Sequence, residues 1–117
     1  MEPAEIIADQ FWNDSSPVDA AGGELPCLPG LENQVLFRTS GSSGKAKWVA
    51  LSKSSLIVSA TAVNRHLNVS ANDCWGLALP LRHVGGFGVA ARAFAAGCRL
   101  ACFNARWNAA SYAAWID

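Results

Sequence analysis

Apolar residues in this chain fall into short runs separated by turn-forming clusters, and the spacing within each run predicts an element. Val35, Leu36 and Phe37 form a run suited to a buried strand over Gln34–Arg38. Trp48–Leu51 predicts a second short strand, and Ser52 stands where a helix N-cap belongs. From Lys53 to Leu67 the apolar positions are Leu56, Ile57, Ala60, Val63 and Leu67, a helical stripe turned toward a core. Asn68–Asp73 reads as a turn. Cys74–Leu79 is a continuous apolar run suited to a central strand, which Pro80 ends. Small residues from Phe87 to Ala96 predict a helix opened by Gly85 and Gly86 and closed by Gly97. Cys98–Phe103 predicts another buried strand, and Asn108 caps a last helix with Tyr112 and Trp115 on one side. Ahead of these, Ala4–Trp12 predicts a short helix, and Asn13–Gly30 reads as a Gly-, Pro- and Ser-rich connector.

Strands alternating with helices predict an α/β fold. The expected architecture is a partial three-layer sheet with mostly parallel strands and right-handed crossovers. Near-continuous apolar strands call for helices over both faces. The strands are few for such a sheet, and the sequence stops as a helix finishes, so the pattern suggests part of a larger domain. The expected organisation is an N-terminal helix and connector over residues 1–30, then a partial domain over residues 31–117.

Composition narrows the function classes. Of 117 residues, 51% are apolar and 15% charged, which excludes a disordered tail. Nine cations balance nine carboxylates, so neither nucleic acid nor an anionic membrane is an expected partner, and any anion site must be local. No apolar run approaches the ~20 residues that span a bilayer. The start, MEPAEIIADQFW, is acidic and lacks the long apolar centre of a secretory signal. Cys27, Cys74, Cys98 and Cys102 form no CxxC pair, and with His66 and His83 as the only histidines they read as reduced, mostly buried thiols of a cytoplasmic protein rather than a zinc site.

The chemistry concentrates after the first strand, in TSGSSGKAK (Thr39–Lys47). Glycines let several backbone N–H groups point into one concavity, hydroxyls add donors, and a lysine adds a cation, which together suit a phosphate. Here the hydroxyls are Thr39, Ser40, Ser42 and Ser43, the hinges Gly41 and Gly44, the cations Lys45 and Lys47. A Walker A loop is excluded, because Gly41 and Gly44 enclose two residues rather than four and Lys45 precedes Ala46. The dinucleotide pattern GxGxxG is absent. On residue types alone, a plain hairpin connection with no ligand stays open beside the phosphate cradle.

Thr39–Val49, TSGSSGKAKWV, resembles the phosphate-binding signature of the adenylate-forming superfamily, [Ser/Thr]-Ser-Gly-[Ser/Thr]-[Ser/Thr]-Gly-x-Pro-Lys-Gly-Val. Downstream, DCWGLALPLRHVGGFGVAARAFAAGCRL (Asp73–Leu100) resembles that superfamily's next block, in which a strand ends in Leu-Pro-Leu-x-His-Val-x-Gly and a helix follows. The version here looks most like the o-succinylbenzoate–CoA ligases of menaquinone biosynthesis. Ala46 stands in place of the usual Pro, and Trp48 in place of the usual Gly. The resemblance implies an acid–thiol ligase. A small-molecule carboxylate is activated by ATP as an acyl-adenylate, with Mg²⁺ on the phosphates, and CoA then takes the acyl group. It implies that Thr39, Ser40, Gly41, Ser42, Ser43, Gly44 and Lys47 bind the phosphates, with Lys47 and His83 as the catalytic candidates. The superfamily's later blocks have no counterpart in the 117 residues. The expected protein is a ligase fragment, completed by its remainder or by a homo-oligomer.

Other candidates keep two readings. His83 reads as a residue shaping and gating the acyl pocket, or as a turn histidine bonded to backbone. Arg82 reads as a partner for a substrate carboxylate, whose geometry a guanidinium fork matches, or as a surface residue. Gly85 and Gly86 read as a close approach to an acyl group or as a helix start, and Trp75 and Phe87 as core or as stacking surfaces for adenine. Arg65, Arg92, Arg99 and Arg106 read as solvated or ion-paired. Two other classes compete with the ligase: an inactive nucleotide- or phosphate-binding module, and an interaction protein that pairs through an exposed sheet edge.

Overall fold

The computed structural model describes residues 1–26, 29–40, 44–104 and 108–117, with the backbone alone at Ser40 and Ala46. Helices α1 (Pro3–Ile6) and α2 (Asp9–Asn13) lead to strand β1 (Val18–Asp19), then β2 (Gln34–Ser40) and β3 (Ala46–Ser52). Helix α3 (Lys53–His66), strand β4 (Cys74–Leu77), helix α4 (Val84–Ala96), strand β5 (Arg99–Cys102) and helix α5 (Ala109–Ile116) complete the order. Among the described residues the strands form a mixed sheet, β1-β2-β3, and a parallel pair, β4-β5. The β1–β2 pairing is parallel, whereas β2 and β3 are antiparallel from Gln34↔Ser52 to Ser40↔Ala46. The fold is α/β, as expected.

Helix α4 carries the centre of the core. Phe87 is 0% exposed and meets Phe37 of β2 edge-on, with ring centroids 5.4 Å apart. Phe11 and Trp12 of α2 close the same cluster, and Trp12 also stacks on Phe94 at 5.2 Å. Leu56 and Ala60 of α3 are buried, with α3 packed on α4. On the other flank Trp115 of α5 lies over Gly76, where a side chain would sit 2.9 Å from its ring. Two caps hold their helices as the sequence predicts. Ser52 accepts from the Ser55 amide at 3.1 Å, and Asn108 Oδ1 accepts from the amides of Ala110 and Ser111.

Several expectations need correction. The helix expected over Ala4–Trp12 breaks into two, because Ala8 is extended (φ −98°, ψ 139°). The break lets Trp12 fold back and donate its indole N–H to the Ile6 carbonyl at 2.6 Å, so both side chains enter the core. The connector contains β1, too short to show any alternation and fixed only by its pairing with β2. β4 ends at Leu77 rather than Leu79, and β5 spans Arg99–Cys102 rather than Cys98–Phe103. Neither is fully buried. Cys74 and Gly76 are exposed, and among the described residues β4 pairs with β5 alone. Thiol burial is accordingly less than expected: Cys74 is exposed and Cys98 and Cys102 are half-buried, while Cys27 lies outside the described residues.

In α3 the apolar stripe is interrupted. Leu67 is 56% exposed, whereas Lys53 and Asn64 are buried. Asn64 earns its place by donating to the Arg92 carbonyl and accepting from the Trp75 indole, both at 2.9 Å, which ties α3, α4 and β4 together. Arg92 also places its guanidinium 5.2 Å from the Trp75 ring, so it is more than a solvated charge.

Lys53 donates from Nζ to the carbonyls of Phe11 and Asp14 and lies 4.4 Å from the Phe11 ring. It pins the end of α2 to the start of α3. Burial pulls its pKa below the ordinary 10.5, opposed by the nearby Asp14 charge. Lys53→Met keeps the apolar stem but strands two carbonyls, and is expected to cost about 1–3 kcal/mol in urea unfolding at pH 7. In the folded protein Lys53 binds its proton less tightly than in the unfolded chain. The wild-type side chain therefore carries a penalty at low pH that lifts as pH rises toward 10.5. Its stability advantage over Lys53→Met should widen across that window; a constant or shrinking gap would refute this account.

Candidate functional site

Strand pairing and one turn bring the two sequence motifs to a single cleft. β2 delivers Thr39 at its exposed end, opposite Lys47 of β3 in the ladder. The Thr39 hydroxyl donates to the Lys47 carbonyl at 3.4 Å, across the neck of the loop. Side chains alternate along a strand, so Phe37, Thr39, Val49 and Leu51 share one face, and Arg38 and Trp48 share the other. Gly44 has φ +77°, a left-handed conformation that favours glycine and turns the chain back into β3. Lys45 and Lys47 are exposed. Gly41, Ser42 and Ser43 lie outside the described residues, and of Ser40 only the backbone pairing with Ala46 is described.

The second motif forms a turn before α4. The His83 amide donates to the Pro80 carbonyl at 3.1 Å, and the His83 carbonyl accepts the Phe87 amide at 2.9 Å. His83 is therefore the N-cap residue of α4, with no capping bond from its side chain, and its imidazole is exposed beside Arg82. The helix expected from Phe87 thus begins at Val84, and Gly85 and Gly86 lie in its first turn. The two glycines differ. Gly85 is exposed, and a Cβ there would meet only the Leu79 Cδ1 methyl, at 3.4 Å. Gly86 is buried against the turn, where a Cβ would lie 2.2 Å from the Pro80 carbonyl oxygen.

Between the hairpin and this turn is a cleft of about 360 Å³ lined by Phe37, Arg38, Thr39, Val49, Leu51 and Arg82–Gly85. It unites Thr39, Arg82, His83 and Gly85 of the predicted residues. Lys47 stands across the strand from Thr39 but outside the lining, and Gly86 backs onto Pro80 instead. The lining combines apolar walls with the cationic residues Arg38 and Arg82 and with His83, and among the described residues it holds no carboxylate. Sequence reading missed Val49 and Leu51 as walls; the β2–β3 register, which pairs Phe37 with Val49 and Val35 with Leu51, is the signal that finds them.

A second cleft, of about 450 Å³, opens on the other side of the same turn, at the carboxyl ends of β4 and β5. Leu77, Leu79, Leu81, Cys102 and Asn104 line it, and Arg82 borders both clefts. Burial, with a smaller push from Glu2, raises the Cys102 pKa above its ordinary value, so this thiol stays protonated and is a poor nucleophile. Among the described residues no group of three His, Cys, Asp or Glu side chains is placed to hold a metal ion, and no helix is long and apolar enough to cross a membrane.

Comparison with known proteins supplies the context for this geometry. Over 69 residues the chain is 30% identical to a 2-succinylbenzoate–CoA ligase of Enterococcus faecalis, a match covering 59% of this chain and 14% of that protein. The o-succinylbenzoate CoA synthetase of Bacillus subtilis, solved with the acyl-adenylate intermediate OSB-AMP, superposes with a TM-score of 0.61 at 27% identity. That match covers 70% of this chain and 21% of the other. In sequence and in fold, the chain is thus similar to adenylate-forming enzymes. The same Bacillus subtilis enzyme, solved with ATP and magnesium ion, matches in fold over 99% of this chain and 30% of its own, with a TM-score of 0.62 at 19% identity. No family model matches the sequence. The chain spans about 14% of the length of the curated ligase it matches.

Proposed function

We propose that this chain contributes the phosphate loop and one wall of the acyl site to an ATP-dependent acid–thiol ligase, acting on o-succinylbenzoate or a closely related aromatic dicarboxylic acid. One observation carries the reading: two motifs more than forty positions apart in sequence, at Thr39 and at Arg82–Gly85, meet on one cleft with apolar walls. An adenylate-forming site requires that meeting, because the activated carboxylate and the nucleotide phosphates must lie side by side.

In this reading residues 31–117 carry the site, while residues 1–30 form an N-terminal helix and connector segment, and the setting is cytoplasmic. Lys47 and the hydroxyls and amides of Thr39–Gly44 hold the β- and γ-phosphates, which positions ATP and screens charge as pyrophosphate departs. The substrate carboxylate oxygen bonds to the α-phosphorus as the bond to pyrophosphate breaks; a CoA sulfur then bonds to the acyl carbon and AMP leaves. Phe37, Val49, Leu51 and Val84 offer the acyl body an apolar surface, His83 borders its entrance, and Arg82 takes its second carboxylate as a forked pair. Among the described residues the cleft lining offers no carboxylate to a metal, so Mg²⁺ would be held there by phosphate oxygens and water, neutralising phosphate charge.

Calorimetric titration with MgATP tests the nucleotide half. The wild-type chain should bind, Lys47→Ala should weaken binding at least about tenfold, consistent with loss of one charge-assisted contact, and Lys45→Ala should change it little. Equal affinity in wild type and Lys47→Ala would overturn the reading.

A further inference from the structure

The part of the hairpin that carries Thr39 and Lys47 stands out from its sheet. β1 pairs with β2 only at Val35 and Leu36, so from Phe37 to Ser40 the described residues place β3 alone beside β2. β3 is itself outermost in the order β1-β2-β3. Arg38, Thr39, Lys47, Trp48 and Val49 are accordingly exposed. A two-stranded ribbon is marginally stable in water, so the order of this stretch depends on its own cross-strand pairs.

Two adjacent rungs of the ladder are fastened, one from each face. On the cleft face the Thr39 hydroxyl donates to the Lys47 carbonyl at 3.4 Å, long for a hydrogen bond. On the other face the register sets Arg38 against Trp48, and the guanidinium lies 4.5 Å from the ring centroid. Trp48 belongs neither to the core cluster nor to the lining of the cleft, and it is 47% exposed. Its ring instead gives Arg38 a flat surface, one rung from Thr39 and Lys47. A guanidinium stacks well on such a face.

We infer that Trp48 and Arg38 are positioning residues, whose stacked pair keeps the β2–β3 ladder closed at Thr39 and Lys47. The inference rests on the phosphate-binding reading of those two residues. When the rung opens, Thr39 and Lys47 part. Only the closed fraction binds, and the apparent affinity falls with that fraction. A cation–π contact at an exposed site shifts such an opening by about two- to fivefold. Arg38 also borders the cleft, so removing it alone could mix this effect with the loss of a direct ligand contact. Changing Trp48 and Arg38 separately and together resolves the two.

Calorimetric titration of the full chain with MgATP, with circular dichroism to check folding, is the test. Trp48→Leu keeps an apolar side chain but removes the ring face, and should lower affinity about threefold. Trp48→Phe keeps a ring face and should restore most of the loss, which a merely space-filling role would not require. Arg38→Met should also cost about threefold, and the double variant no more than either single change, because both break one contact. Wild-type affinity in Trp48→Leu, equal losses in Trp48→Leu and Trp48→Phe, or single losses that multiply in the double variant would each overturn the proposal. None of those results touches the ligase reading, provided the wild type binds MgATP. If the wild type does not bind, the ligase reading falls, and amide hydrogen exchange over residues 37–39 and 47–49 decides the pairing on its own. Exchange about threefold faster in Trp48→Leu than in wild type and Trp48→Phe supports the closed rung, and equal rates in all three refute it.

Discussion

Phe87→Ala should lower the unfolding free energy by about 3–5 kcal/mol, the range for removing a buried aromatic side chain. The ring is 0% exposed and is touched from three sides, by Phe11 and Trp12 of α2 and by Phe37 of β2. Those neighbours are themselves large and held on two separate elements, α2 and β2, so they cannot all close on the space left behind. Domains of this size have about 5–15 kcal/mol in total. The variant should therefore melt roughly 10–20 °C lower, with a matching drop in urea midpoint and an unchanged slope. Phe87→Leu, which fills most of the volume, should lose much less. Equal losses for Ala and Leu would mean that the ring is not the keystone of the cluster.

Phe87 was legible as core because it opens an apolar helical run, and other features read from the sequence share that property of being locally encoded. Ser52 and Asn108 sit directly before helical segments and cap them through their own side-chain oxygens. The run Val35–Phe37 is buried as its letters suggest. What escaped sequence reading is what tertiary context decides. Lys53 and Asn64 are polar letters in buried positions, tolerated because carbonyls of Phe11, Asp14 and Arg92 and the indole of Trp75 happen to lie within reach. β1 is two residues long in a turn-rich segment and exists only through its pairing with β2. The cleft itself was half legible. The two motifs could be named from their residue types, but that Thr39 and His83 face one space follows from the β2–β3 register and from the Pro80 turn.

Gly86→Ala should destabilise the fold by about 3 kcal/mol, at the upper end of the cost of forcing an added methyl into a packed site. The added carbon would lie 2.2 Å from the Pro80 carbonyl oxygen, 2.8 Å from that of Leu79 and 2.9 Å from the Pro80 carbonyl carbon. All three are backbone atoms, and no rotamer change can move them. Either the first turn of α4 shifts or the Leu79–His83 turn does. Helix propensity runs the other way, favouring Ala over Gly by about 1 kcal/mol inside a helix, so any net loss understates the clash. Gly85 is the built-in control, because its neighbour is a Leu79 methyl at 3.4 Å, an ordinary contact with a side chain that can yield. Gly85→Ala should therefore be neutral or slightly stabilising. The pair also separates packing from the site. The turn that Gly86→Ala displaces carries Arg82 and His83 into the cleft, and the His83 amide is bonded to the same Pro80 carbonyl. At a temperature where the variant remains folded, its affinity for a dicarboxylic acyl-adenylate analogue should still fall. A Gly86→Ala chain with wild-type stability would show that the helix and turn can part at no cost, and the close approach would then have no part in holding the two side chains in place.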